Sequence, residues 1–203
     1  MTQLQAKPSV ASPDHAGGSR ETAGSEPVEA DPPEGCPLIV DVVLDDEDRA
    51  AWVNFGDAVA SAEAASLAVG AWPGLEIGPA AAVVALSTNA EVQRLNAAYR
   101  GLDKPTNVLS FPAPAQPSAA GERPTLGDII IAGETVLREA AEQGIPPAHH
   151  LQHLVVHGLL HLIGYDHVTG DEAAAMEGLE SRILATLGIA DPYADPPLLS
   201  GEA

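Results

Sequence analysis

From Pro37 onward, apolar and polar positions alternate between strand-like and helix-like stretches. Leu38-Ile39-Val40-Asp41-Val42-Val43-Leu44 is apolar and β-branched, which suits a pleated surface and predicts a first strand. Between Glu47 and Val69, Trp52, Phe55, Val59 and Ala62 recur at three- and four-residue spacing, a helical stripe that Asp45 or Asp46 can cap and Gly70 can close. Gly56 interrupts it. Ala81 to Ser87 predicts a second strand. Thr88-Asn89-Ala90-Glu91 then reads as a capping box opening a helix with Val92, Leu95 and Ala98 on one face, Arg100 in its last turn and Gly101 beyond it. Asn107 to Phe111, broken off by Pro112, predicts a third strand and Gly127 to Ala132 a fourth. Only a loop joins these two, so they are expected as antiparallel neighbours in a mixed sheet.

Glu134 to Gln143, closed by Gly144, predicts a short helix. Pro146-Pro147 opens the next, whose apolar face is Leu151, Leu154, Val155, Leu159 and Leu162 and which Gly164 ends. A last helix starts at Asp171-Glu172, carries Met176, Leu179, Ile183 and Leu187 at helical spacing and is ended by Gly188. The expected fold is a single α+β domain over residues 37–190, a mixed four-stranded sheet packed with about five helices. Residues 1–36 are rich in Pro, Gly, Ser, Ala and Glu and are expected to be a disordered acidic tail. Residues 113–123 read as a flexible excursion and 191–203 as a C-terminal tail.

At 203 residues and 45% hydrophobic composition, the chain can bury one core. It has no apolar run of membrane-spanning length and an acidic, proline-rich N-terminus unlike a secretory signal, so a cytoplasmic protein without membrane contact is expected. Cys36 is the single cysteine, which excludes an internal disulfide and any thiolate metal cluster. A formal charge of −20 argues against a protein that coats nucleic acid, and no DNA partner is expected. Arg94, Arg100 and Lys104 nonetheless cluster among only nine basic residues, leaving room for a local cationic groove.

The chemistry concentrates in His157-Gly158-Leu159-Leu160-His161-Leu162-Ile163-Gly164-Tyr165-Asp166-His167. His157 and His161, four apart, share a helix face and can reach one ion. Gly164 can take a left-handed turn that brings His167 back as third ligand. Neutral imidazole suits zinc, and three ligands leave a fourth position in which a water's pKa falls to about 7. The spacing resembles the metzincin protease motif, but the position of that motif's general-base glutamate is Gly158, which argues against proteolysis. His153, on the same face as His157, could make a supporting contact behind the ligands or pair with solvent. His149 and His150 read as first-turn surface residues, and His15 lies in the tail.

The triad stretch also resembles the signature of the YbeY family of bacterial metal-dependent endoribonucleases. So do Leu95-Asn96-x-x-Tyr99-Arg100-Gly101-x-Asp103-Lys104-Pro105-Thr106-x-Val108-Leu109-Ser110-Phe111-Pro112, Leu126-Gly127-Asp128-Ile129 and Met176-x-x-Leu179-Glu180, in that order. The resemblance runs from about Pro37 to Tyr193. It implies one zinc ion on His157, His161 and His167, with Arg100 and His157 in catalysis. It further implies cleavage of single-stranded RNA in maturation of the 3′ end of small-subunit ribosomal RNA and in ribosome quality control, with the ribosome and its assembly proteins as partners. One departure is Asn107, where the family commonly has aspartate. With no glutamate at 158, a metal-held hydroxide or Asp166 is left to act as base. Rival readings are a non-catalytic assembly factor stabilised by zinc and a metzincin-like metalloprotease.

Overall fold

A computed structural model describes residues 37–75, 77–114 and 123–194. The expectations for residues 1–36, for most of 113–123 and for 195–203 lie outside the described residues. In chain order the elements are β1 (Leu38–Val43), a short 3-10 turn (Arg49–Trp52), α1 (Ala58–Gly70), β2 (Ala80–Ser87), α2 (Asn89–Arg100), β3 (Val108–Pro112), β4 (Thr125–Ala132), α3 (Gly133–Gln143), α4 (Pro147–Ile163) and α5 (Gly170–Thr186). The sheet order is β1-β2-β4-β3. β1 runs parallel to β2 and β2 to β4, while β3 pairs antiparallel with β4 in a register that sets Val108 against Ile131 and Ser110 against Ile129. The α+β class and the mixed sheet are as the pattern predicted. Pro112 closes β3 rather than standing outside it, a position that an edge strand tolerates because the missing N–H leaves no inner ladder bond unmade.

The single helix expected over 47–69 is not formed. Trp52, only 3% exposed, donates its indole N–H to the Ser87 carbonyl at 3.1 Å and packs its ring 4.7 Å from Phe55. Those two aromatics are fixed by the core rather than by a common helix axis. Gly56, at φ +73°, redirects the chain after them. Asp57, not Asp45 or Asp46, then caps α1 by accepting the Ala60 N–H at 3.0 Å.

Helix α4 packs on β3 and β4 and also touches α1, α3 and α5. Leu151, Leu154, Val155, Leu159 and Leu162 are all buried, as the stripe predicted. Each stabilises the docked helix by roughly 1.5–3 kcal/mol, so α4 is held as a rigid platform. On the opposite face of the sheet, α2 covers a smaller apolar cluster of Val92, Leu109 and Ala132. Its capping threonine accepts the Glu91 N–H at 3.4 Å, and Gly101 closes it by donating its N–H to Ala97. From there Asn96 Nδ2 donates to the Lys104 carbonyl at 2.8 Å and pins the connection that carries the chain to the sheet edge at β3. Among the described residues, no helix is long and apolar enough to cross a membrane.

Candidate metal centre

His157 and His161 project from the last turns of α4, one turn apart as their spacing requires. Gly164 takes φ +103° and donates its N–H to His161 O, and the chain folds back over the helix end. The turn brings the His167 ring to 5.0 Å from that of His161 and 5.7 Å from that of His157. One ligand nitrogen from each of the three lies within 4.8 Å of the others.

The outer nitrogens of two rings are already committed. His161 Nδ1 lies 3.1 Å from the Tyr165 carbonyl oxygen, which can only accept, so that nitrogen carries the proton. His157 Nδ1 lies 2.8 Å from Glu180 Oε1 and donates to it. In the neutral form each ring so fixed turns an unprotonated Nε2 inward, and these two nitrogens stand 3.1 Å apart. Two lone pairs facing each other at that distance repel unless a proton or a metal ion lies between them. The donor set fits a borderline-soft divalent ion, and the carboxylate behind His157 is the kind of support that fixes a metal-binding imidazole.

Glu180, in α5, is fully buried. Burial pushes its carboxyl up, but hydrogen bonds from His153, His157 and the Tyr193 hydroxyl outweigh it and bring it down to about 2. His153 Nε2 lies 3.2 Å from Glu180 Oε2, behind the triad rather than in it. Nothing in the motif spacing identified Glu180 as a partner, although a signal was there: it lies four residues after Met176 and three before Ile183, a charge in the middle of a buried stripe. Tyr193 comes from the segment read as a tail. His150 also differs from expectation. It is 4% exposed rather than a surface residue, because α3 packs over the first turn of α4 and Glu139 meets its Nε2 at 2.9 Å.

The histidines open onto a cleft whose other wall is Arg100, Asn107, Val108 and Ser110. Arg100 reaches it from the last turn of α2, and its side chain has no ion pair or hydrogen bond among the described residues. Arg49, Arg94 and Arg138 are by contrast paired with carboxylates. In a chain of charge −20, this leaves a guanidinium beside the triad that no carboxylate among the described residues neutralises. Asp166, whose Oδ1 accepts the His167 backbone N–H at 2.8 Å, is not among the residues that line the cleft.

Burial, reinforced by His157 and His167, lowers the pKa of His161 from its ordinary 6.5. The unfolded chain thus binds the extra proton more readily than the folded one. No stability is lost through this group above pH 6.5, and stability falls as pH drops from there through the lowered value. Thermal unfolding of metal-free protein is expected to show this decline between neutral and mildly acidic pH. The decline should be absent in His161→Gln.

The model of the family described as Endoribonuclease YbeY matches residues 75–188. A protein of that name from Alkalilimnicola ehrlichii is 61% identical over 116 residues, which span 57% of this chain and 70% of the relative. One from a Bradyrhizobium strain is 51% identical over 147 residues, 71% of this chain and 87% of the relative. A third, from Azorhizobium caulinodans, is 48% identical over 158 residues, 77% of this chain and 97% of the relative.

Proposed function

The chain belongs to the YbeY endoribonuclease family, and from that premise we propose that it is a zinc-dependent hydrolase that cuts single-stranded RNA. Its proposed substrate is the 3′ region of small-subunit ribosomal RNA, and its setting the cytoplasm, with the ribosome and ribosome-assembly proteins as partners. The observation that supports the metal assignment is the convergence of three imidazoles, two of whose inward Nε2 atoms stand 3.1 Å apart while an acceptor on the far side of each ring takes the Nδ1 proton. His157, His161 and His167 would hold the ion. Zinc bound there would supply a Lewis acid for phosphate oxygens and lower the pKa of a water.

The chain's own residues supply the rest. Arg100 places a planar fork of donors on the cleft wall, suited to grip phosphate oxygens in pairs and to stabilise charge that builds on them. Glu180 keeps the His157 ring in the tautomer and orientation that leave Nε2 free. The low total basicity is consistent with a contact limited to a short stretch of strand rather than an extended coat.

The test uses one preparation, stripped with chelator and then reloaded with zinc, acting on an end-labelled single strand that carries the 3′ region of small-subunit ribosomal RNA. Cleavage should vanish and return with the metal. A zinc-loaded chain that binds ribosomal particles but never cuts would replace this reading with that of a non-catalytic assembly factor. Arg100→Ala is expected to lower kcat/KM by about 100-fold with zinc content unchanged, and Arg100→Lys to recover only part of it. Steady-state cleavage with metal analysis checks both; unaltered cleavage by Arg100→Ala would remove the phosphate role.

A further inference from the structure

Asn107 stands at the head of β3 on the cleft wall, with Arg100 and the three histidines as co-lining residues. Its amide orientation is fixed by a neighbour that can only donate: the Val108 backbone N–H, 2.7 Å from Oδ1. The Thr106 hydroxyl, at 3.4 Å, approaches the same oxygen. Nδ2 donates one proton to Glu139 Oε2 at 3.0 Å. One hydrogen-bonding position remains, the second Nδ2 proton. Whatever Asn107 takes from the cleft must therefore be an acceptor.

Glu139 is itself anchored. Its Oε2 meets His150 Nε2 at 2.9 Å, and Arg138 Nη2 lies 3.4 Å from Oε1. His150 is buried with its Nδ1 lacking any partner among the described residues. A leucine there would fill the same space without a stranded nitrogen, so packing alone does not account for the imidazole. What it does is hold Glu139, and Glu139 holds Asn107.

Resting on the ribonuclease reading, we infer that Asn107 donates a hydrogen bond to a phosphate oxygen of the bound strand beside Arg100, and that Glu139 and His150 are positioning residues acting through it.

The test measures the affinity of the zinc-loaded full chain for a fluorescent single-stranded RNA by anisotropy, in the cold and before the strand is cut. Asn107→Ala should weaken binding about tenfold, with zinc stoichiometry unchanged. Glu139→Ala should match Asn107→Ala, while Glu139→Gln, which keeps an acceptor for the Asn107 amide, should stay within about twofold of the parent. The double variant Asn107→Ala/Glu139→Ala should bind no worse than Asn107→Ala alone. Unchanged affinity in Asn107→Ala, or losses that multiply in the double variant, would overturn the inference. Cleavage is followed on the same samples: a parent chain that binds but never cuts defeats the ribonuclease reading, while the affinities still decide the role of Asn107.

Discussion

Replacing His161 by alanine is expected to abolish both stoichiometric zinc binding and RNA cleavage, the latter by at least about a thousandfold, since a bound cation is worth several kcal/mol of charge stabilisation in such a reaction. The expectation follows from where the ring sits. Its Nδ1 is spent on the Tyr165 carbonyl, its Nε2 lies 3.1 Å from that of His157, and its ring is 5.0 Å from that of His167, so it is the ligand between the other two. Removing it leaves two nitrogens and no group in the cleft that can take its place from the same turn of α4. The variant should still fold, because α4 is docked by buried leucines on a different face from the histidines. Metal content after dialysis, circular dichroism and cleavage of a labelled strand together check this, with His149→Ala as the control expected to keep all three. A His161→Ala protein that retains one zinc per chain would place the ion elsewhere.

That the three histidines meet was legible because each part of the arrangement is local. An i, i+4 pair on a helix and a glycine three residues later are fixed by helix geometry alone, and the leucine stripe that docks α4 is read from the same periodicity. The antiparallel β3–β4 pair was equally legible, since a connection without a helix most simply returns the chain as an antiparallel neighbour. What escaped was set by partners distant in the chain. Glu180 acts on His157 from 23 positions away and Glu139 on Asn107 from 32, and no spacing rule connects such pairs. His150 was misread for the same reason: its place in a first turn suggested solvent, and only the packing of α3 buries it. The break at Gly56 shows the converse, a helical stripe overruled because Trp52 and Phe55 reach the core by a different route.

The largest expected effect on stability comes from Gly158→Glu, the substitution that would complete the metzincin motif. Gly158 lies on the face of α4 turned to the sheet, where an added Cβ would stand 2.9 Å from Ile129 Cδ1, 3.1 Å from Cγ2 and 3.2 Å from Cγ1. Alanine there gains about 1 kcal/mol in helix propensity against roughly 1–3 kcal/mol of crowding, so Gly158→Ala should lose about 0–2 kcal/mol. Glutamate adds four more heavy atoms, a methylene and a carboxyl, the latter without a donor waiting for it between helix and sheet. Its loss should exceed about 4 kcal/mol, enough to unfold a marginal domain. Denaturant unfolding of both variants separates crowding from charge. The consequence reaches beyond stability: in a metzincin the residue after the first histidine must face the metal site, whereas here that direction is filled by β4. A Gly158→Glu protein with a parent-like unfolding midpoint would show that the face is open after all, and peptide cleavage by it would revive the protease reading. Collapse of the variant means that this helix was built to dock on a sheet, and that the acid–base partner for the histidine cleft has to come from elsewhere than α4.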